Sequence, residues 1–266
     1  MKIAFIGGGN MAEAMISAVL EKKRAIAAAI TVADIVPERP GYLARTYGIV
    51  PREDNVEAVL GKDIVILAVK PQQFPTVLAE LKQRLHESQL VISIAAGVKI
   101  SSITQGLNHA AVVRAMPNTP ARIGRGITGW TCTGQVSPQQ RERAKILLGS
   151  MGEELYFENE SALDMVTAVS GSGPAYVFYF TEALTGAAEK IGLGREDAAR
   201  LALYTLLGAG GLLETSGQNP AELRQAVTSK GGTTERAIDI LEAGGFKKLV
   251  EDAVKGAYER ARELGA

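Results

Sequence analysis

The chain has 266 residues, and its 29 Lys and Arg balance its 29 Asp and Glu, so its formal charge at pH 7 is zero. Such a balance gives no reason to expect a nucleic-acid partner or an anionic membrane surface. The length suits one large domain or two modest ones. Cys132 is the single cysteine, so the chain forms no internal disulfide, and a reducing, cytoplasmic location is expected.

Two further features narrow the class of protein. The apolar run Ile3–Ile6 stops at three glycines, unlike a signal peptide, and the longest uncharged run, 165–181, is interrupted by glycines and a proline. No membrane association is therefore expected. His86 and His109, the only histidines, lie in polar stretches without a nearby acid or cysteine. We predict that both are surface residues, and we expect neither a metal site nor histidine catalysis.

The start of the chain predicts a dinucleotide site. An apolar strand, Lys2–Ile6, runs into Gly7–Ala12, which has the pattern G-x-G-x-x-A and opens an apolar-periodic helix. In this pattern Gly7 allows the tight turn, Gly9 lets a pyrophosphate approach the backbone, and Ala12 lets helix and strand pack closely.

The next predicted strand, Ile30–Ala33, ends in Asp34, at the expected spacing from the glycines. A carboxylate there favours the ribose 2′-OH of NAD and repels the 2′-phosphate of NADP. Arg39 is close enough in sequence to bind that phosphate, so the choice between the two cofactors stays open. Alternatively, Asp34 caps the helix predicted around Glu38–Tyr47.

Strands and helices alternate as far as residue 157. The pattern predicts an α/β, doubly wound, mainly parallel Rossmann domain, whose ligands bind beyond the carboxyl ends of the strands. The predicted strands are Lys2–Ile6, Ile30–Ala33, Asp63–Val69, Leu90–Ala95, Ala111–Met116, Ile127–Thr133 and Glu154–Phe157. The strand ends at Gly7–Met11, Ala68–Pro71, Ile94–Ala96 and Met116–Thr119 are expected to line one crevice, although their prolines also fit ordinary turns.

Beyond Phe157 the strand signals stop, and the rest of the chain reads as helices divided by glycines. We therefore predict a Rossmann domain over 1–160 and an all-α domain over 161–266. Three glycines, Gly208, Gly210 and Gly211, fall inside one helical pattern, where each costs roughly 1 kcal/mol relative to alanine. Close approach of another helix would explain them, so the helical domain is expected to form a dimer. The alternative is a well-packed monomeric bundle.

A polar, glycine-rich loop, Val227–Glu235, leads into a predicted helix. Gly232 suits the N-cap, and Glu235 then stands at the third helical position. The first amides of such a helix lack partners within it and face outward with the positive dipole end, so the loop suits a carboxylate or phosphate. Thr234 adds a hydroxyl beside that anion. The alternative is a plain glycine turn with a capping threonine.

Five motifs together resemble the pyrroline-5-carboxylate reductase family over nearly the whole chain. They are G-G-G-N-M at 7–11, A-V-K-P at 68–71, M-P-N-T-P at 116–120, S-G-S-G-P-A-Y at 170–176 and S-K-G-G-T-T at 229–234. The resemblance implies an NAD(P)H-dependent reductase that makes L-proline. It also implies a helical domain that interlocks in dimers, which often assemble further as a ring of dimers, and a site formed jointly by the two kinds of domain.

The resemblance also implies roles for individual residues. Amides of Gly231, Gly232 and Thr233 would hold the substrate carboxylate, and the hydroxyl of Thr234, the expected catalytic residue, would bond the ring nitrogen. The expected substrate-binding set is Glu160, Ser229, Lys230, Gly231, Gly232, Thr233 and Thr234. Lys230 replaces a proline common in the family, which leaves its role open. Residues 68–71, with Asn55, would touch the adenosine and ribose side of the cofactor, and Met116–Thr119 would lie near the nicotinamide. The expected cofactor-binding set is Ile6, Gly7, Gly8, Gly9, Asn10, Met11, Asp34, Asn55, Ala68, Val69, Lys70, Pro71, Ile94, Ala95, Ala96, Met116, Pro117, Asn118 and Thr119.

Two other functions compete with this one. A 3-hydroxyacid dehydrogenase needs a proton donor, usually a lysine on the first long helix of its second domain, but the helix from Pro174 carries no lysine before Lys190. A dinucleotide-sensing dimer without turnover would not need the intact G-G-T-T and S-G-S-G-P motifs. The sequence leaves open the choice of NADH or NADPH, assembly beyond the dimer, activity on related cyclic imines and feedback regulation.

Overall fold

The computed structural model describes residues 1–265. Its strands are β1 (Ile3–Ile6), β2 (Ile30–Ala33), β3 (Val50–Pro51), β4 (Ile64–Leu67), β5 (Leu90–Ser93), β6 (Val112–Met116), β7 (Gly126–Cys132) and β8 (Gly152–Tyr156). Its helices are α1 (Asn10–Glu21), α2 (Glu38–Tyr47), α3 (Asn55–Val59), α4 (Phe74–Leu81), α5 (Ile100–Leu107), α6 (Pro138–Leu148), α7 (Ala162–Val166), α8 (Gly173–Lys190), α9 (Arg195–Thr215), α10 (Pro220–Ala226), α11 (Thr233–Ala243) and α12 (Phe246–Leu264).

All eight strands form one sheet in the order β3-β2-β1-β4-β5-β6-β7-β8. The first six strands are parallel, β7 runs antiparallel to β6, and β8 is parallel to β7. Every residue of β1, β2, β4 and β5 is buried, as expected of parallel strands covered on both faces. The predicted fold, a doubly wound and mainly parallel sheet followed by helices, is confirmed.

The sequence pattern did not predict two short elements. β3 has only two residues, paired with Thr31 and Val32 of β2, and is too short to show an alternation of apolar and polar residues. α3 is a helix of five residues, N-capped by the Asp54 side chain, which accepts the Glu57 N–H at 2.7 Å. This cap is a usual helix-start signal, but the helix has too few residues for apolar periodicity.

The predicted surface position of the histidines holds for His86, which is exposed, and is wrong for His109. His109 is only 7% exposed, and its Nε2 lies 2.8 Å from the carbonyl oxygen of Gln89. This hydrogen bond satisfies the buried ring nitrogen, so a histidine in a polar stretch is tolerated beneath the surface.

The described chain divides into two compact units. The first unit comprises 1–172 together with 257–265, and the second comprises 173–256. α7 belongs to the first unit because Gly129 on β7 lets it approach the sheet closely. A Cβ on Gly129 would lie 2.8 Å from the Val166 side chain. The domain boundary near residue 160 stays a prediction.

The second unit contains α8–α11 and the first part of α12. At the three glycines of α9, Gly208, Gly210 and Gly211, a Cβ would meet nothing within 4 Å. The neighbouring helix predicted to explain these glycines is therefore not supplied by the described part of this chain. None of the described helices is both long enough and apolar enough to cross a membrane.

Candidate active site

The glycine turn after β1 has the backbone geometry that the first motif predicts. Gly7 adopts φ +97°, and a Cβ there would lie 2.8 Å from the Ala68 carbonyl group, so only glycine fits. Gly9 is the N-cap of α1, and a Cβ there would meet nothing within 4 Å. Ala12 is buried where helix and strand pack. The turn therefore leaves open space in front of the first amides of α1, as an approaching pyrophosphate requires.

Four of the segments predicted to bind cofactor meet at one edge of the sheet. β1, β4, β5 and β6 are adjacent parallel strands, so the segments that follow them emerge side by side. Ala68 N–H donates to Ile6 O at 2.8 Å, and Ile94 N–H donates to Leu67 O at 3.1 Å, so the start of each of these two segments is bonded to the end of the neighbouring strand. This edge of the first unit suits a dinucleotide, although the contact of each residue with a cofactor stays a prediction.

Asp34 lies directly after β2, and each of its two carboxylate oxygens accepts a hydrogen bond from a backbone N–H group. Oδ2 accepts the Gly8 N–H at 2.6 Å, and Oδ1 accepts the Val36 N–H at 2.8 Å. The capping alternative is wrong, because the N-cap of α2 is Pro37 and makes no side-chain capping bond. Asp34 instead fixes its carboxylate beside the glycine turn.

Asn55 and Lys70 lie at the ends of different elements of the same unit. Asn55 is the first residue of α3, and its Nδ2 donates to the Glu80 carboxylate of α4. Lys70 follows β4, is exposed, and its backbone N–H donates to the Gln73 side chain at 3.3 Å. The Glu80 partner was not foreseen from the sequence, because no local pattern links residues 25 positions apart.

The segment Met116–Thr119 packs on the family motif that begins at Ser170. Asn118 Oδ1 accepts the Ile127 N–H at 3.0 Å, and its Nδ2 donates to Ser170 Oγ at 3.4 Å. Thr167–Gly171 forms one π-helical turn, and a Cβ on Gly171 would lie 2.7 Å from Met116 Cε. π-helical turns are frequent at functional sites, and here the turn brings Ser170 to the segment predicted to lie near the nicotinamide.

Glu160 is engaged within the first unit. Its Oε1 accepts Arg114 Nη1 and the Ile100 N–H, both at 2.8 Å, while Arg114 Nη2 lies 3.3 Å from Asp164. Arg114 is almost fully buried on β6, where an unpaired charge would be costly. A single arginine within the apolar run 111–116 was the available signal for this network. The predicted role of Glu160 beside the substrate stays a prediction.

The glycine-rich loop of the second unit opens α11 as the sequence predicts. Gly231 has φ +74°, and Gly232 is the N-cap in an extended conformation. Gly231 N–H donates to Glu235 Oε2 at 2.6 Å, and Gly232 N–H donates to Ser229 O at 3.0 Å. Two of the amides expected to hold a carboxylate are therefore engaged within the loop.

Thr233 and Thr234 occupy the first two positions of α11, where backbone N–H groups have no acceptor within a helix. Thr234 is half-buried, and Lys230 is exposed. A Cβ on Gly232 would lie 2.5 Å from Ser229 Oγ, so glycine lets the serine fold back under the loop. The loop thus presents two helix-terminal amides and the Thr234 hydroxyl next to one another.

Two family models match the chain. The model for pyrroline-5-carboxylate reductase dimerisation matches residues 160–264, and the model for coenzyme F420-dependent NADP oxidoreductases matches residues 2–97. The first match contains the loop and α11, and the second contains the glycine turn and Asp34.

Full-length relatives agree with these matches. The pyrroline-5-carboxylate reductase of Pseudomonas aeruginosa is 46% identical over 99% of this chain and 96% of its own length. The crystal structure of a pyrroline-5-carboxylate reductase from Coxiella burnetii superposes with a TM-score of 0.93 at 38% identity, covering 100% of this chain and 98% of the other. The pyrroline carboxylate reductase of Plasmodium falciparum, solved with NADP bound, has a TM-score of 0.89 at 29% identity and covers 100% of this chain and 98% of its own.

Proposed function

The chain belongs to the pyrroline-5-carboxylate reductase family, and we propose that it transfers hydride from NAD(P)H to the cyclic imine of 1-pyrroline-5-carboxylate, giving L-proline. The observation that carries this proposal is the 46% identity to a pyrroline-5-carboxylate reductase over 99% of the chain. The local geometry supports it, because a glycine turn suited to a dinucleotide and a loop suited to a carboxylate are both intact.

The first unit binds the cofactor in this proposal. The open space at Gly9 and the first amides of α1 receive the pyrophosphate, and Asp34 lies beside the adenosine ribose. Met116–Thr119, braced by the Asn118 contact with Ser170, lies near the nicotinamide. When bound, NAD(P)H supplies the hydride, and these residues orient it.

The second unit supplies the residues that bind the substrate. Because Gly231 and Gly232 donate their N–H groups within the loop, the Thr233 and Thr234 amides are the main donors for the substrate carboxylate. The positive end of the α11 dipole adds to this attraction. The Thr234 hydroxyl then orients the ring nitrogen.

The proposed chemistry needs little from acid–base groups. A protonated cyclic imine is already an electrophile, so correct positioning of the carbon–nitrogen double bond supplies much of the rate. No strong general acid is required when the substrate binds as its iminium, because its nitrogen already carries the proton. Thr234 needs only to hold that nitrogen in place, which suits a loop without histidine.

We further infer that the protein is a homodimer. The match to the dimerisation model over residues 160–264 supports it, and so do the large apolar side chains exposed along α8, α9 and α12. A ring of dimers, the cytoplasmic location and the lack of a nucleic-acid partner stay predictions from the sequence.

The test is to mix the purified protein with pyrroline-5-carboxylate and follow the loss of reduced-nicotinamide absorbance with NADH and NADPH in parallel. We expect turnover, with proline as the product identified by chromatography. A protein that binds a nicotinamide cofactor but turns over with neither would contradict the proposal, and a 3-hydroxyacid would then be the next substrate to assay.

A further inference from the structure

We propose that this chain prefers NADH to NADPH, and that Asp34 and Glu13 together set the preference. The inference rests on the proposed function, because it concerns the cofactor of that reaction. It is drawn from side chains of the first unit at the end of β2 and on α1, which lie beside the glycine turn.

Asp34 provides the first half of the argument. Its two carboxylate oxygens accept the Gly8 and Val36 amides at 2.6 and 2.8 Å, so the charge is fixed beside the turn that receives the pyrophosphate. In this fold a carboxylate at the end of the second strand bonds the ribose 2′-OH of NAD. A 2′-phosphate at the same place would meet a like charge that two hydrogen bonds hold in position.

Arg39 is the basic residue that could reverse this preference, but in the structure its side chain is already engaged by Glu13 and Gly8. It is the only Lys or Arg between residues 34 and 44. Its Nε donates to the carbonyl oxygen of Gly8, and its terminal nitrogen forms an ion pair with Glu13. The guanidinium also lies over the Tyr42 ring, 4.9 Å from the centroid. Arg39, on α2, is therefore held against Glu13 of α1, which balances its charge.

Glu13 is the centre of this small cluster. Its Oε1 accepts the hydroxyls of Tyr42 at 3.1 Å and Tyr47 at 3.2 Å, while Oε2 pairs with Arg39. Burial would raise the pKa of Glu13, but the hydrogen bonds from Arg39 and Tyr42 and the charge of Arg39 outweigh burial and lower it. Glu13 is thus ionised at neutral pH and balances the one cation that a 2′-phosphate needs.

A third carboxylate, that of Glu80 on α4, binds a residue of the expected cofactor-binding set. Asn55, which family resemblance assigns to the ribose side, donates its amide to Glu80. Asp34 and the ion pair of Glu13 with Arg39 therefore leave one net negative charge beside the glycine turn, where the 2′-phosphate of NADPH would bring about two more.

The first test is a binding measurement that does not depend on turnover. Isothermal titration calorimetry with NAD⁺ and NADP⁺ is expected to give a dissociation constant at least about tenfold lower for NAD⁺, the effect of one unfavourable charge contact. The ratio of kcat/KM for NADH and NADPH is expected to follow the same order. Equal or tighter binding of NADP⁺ would overturn the inference.

Two variants test whether Glu13 and Asp34 cause the preference for NAD⁺ over NADP⁺. Glu13→Gln keeps the shape and an acceptor for the tyrosine hydroxyls but removes the charge that balances Arg39, so the NADP⁺ dissociation constant is expected to fall about tenfold while that of NAD⁺ changes little. Asp34→Asn is expected to shift the ratio in the same direction. Glu21→Gln, at the exposed end of α1, makes the same change in net charge and is the matched control.

An equal shift in Glu13→Gln and Glu21→Gln would assign the effect to overall charge and overturn the role of Glu13. No shift in either Glu13→Gln or Asp34→Asn would overturn the inference as a whole. Lack of turnover with both cofactors, alongside the predicted binding ratios, would remove the proposed reaction and leave the dinucleotide preference standing.

Discussion

The two compact units differ in how completely they bury their own apolar side chains. In the first unit, the apolar side chains of β1, β4 and β5 are fully buried, and Trp130 is nearly so. In 173–256, the only buried residues are two alanines, Ala198 and Ala202, while Tyr179 is 74% exposed and Leu249 is 69% exposed. The first unit therefore contains its own core, whereas the second unit leaves large apolar side chains for another surface to cover.

The exposed residues of the second unit are not scattered. Side chains of α8, α9 and α12 line one apolar groove, among them Tyr179, Phe180, Leu206, Leu249 and Val250. Large contiguous apolar surfaces of this kind are rare on monomers and mark interaction sites. Burying one such side chain contributes roughly 1.5–3 kcal/mol, so a second copy would supply stability that the unit lacks alone. Each prediction below tests this difference.

The largest effect is expected for Leu207→Asp on α9, where the leucine is 58% exposed. A carboxylate buried without a partner in an interface costs several kcal/mol, so the dimer is expected to dissociate and activity to be lost. Light scattering coupled to size-exclusion chromatography reports the mass. Leu60→Asp, at a leucine of the first unit with 63% exposure, is the matched control and should remain dimeric. A dimeric Leu207→Asp would contradict the difference between the two units.

Arg114→Leu is expected to damage the first unit without changing the assembly. The change leaves Glu160 and Asp164 without their buried cation and should lower the free energy of unfolding by about 3 kcal/mol, measured in urea. Arg260→Leu breaks an exposed pair with Glu263 in the same unit and should cost less than about 1 kcal/mol. Equal losses in the two variants would show that the buried network adds no particular stability.

Thr234→Ala is expected to separate the roles of the units with the smallest structural change. Loss of the hydroxyl that orients the imine nitrogen should lower kcat about ten- to hundredfold, while the dissociation constant for NAD⁺ stays unchanged. Thr233→Ala, one residue earlier on α11, is the matched control and should lose far less. Equal, small losses in both variants would remove Thr234 from the mechanism.

Most of the first unit was predictable because its signals are local. The strand Ile30–Ala33 and the helix Glu38–Tyr47 have the predicted ends, since apolar runs and the turns that flank them lie within a few residues of each other. The glycine turn was also predictable, because Gly7 lies against the Ala68 backbone in a close contact that is typical of this fold. β3 was not predicted, because its two residues form a strand only through their pairing with β2.

The contacts of the site were harder to predict. Glu13 and Arg39 are 26 positions apart, and Arg114 and Glu160 are 46 apart, so no window of sequence joins them. The loop before α11 was located correctly, yet the bond from Gly231 to Glu235 changes which amides remain for a carboxylate. That bond follows from side-chain geometry, which the residue pattern does not specify.

The sequence by itself determined the order of the longer strands and helices, the glycine turn and the helix start at Gly232, because each depends on backbone preferences and on apolar spacing within a short segment. The tertiary structure decided which charges pair, that His109 is buried and that Asp34 turns back to the Gly8 amide. It also decided that the second unit leaves its large apolar side chains exposed. These outcomes depend on contacts between segments that are distant in the sequence. Polar groups buried at such contacts need hydrogen-bond partners, and the partners come from whichever segments lie nearby.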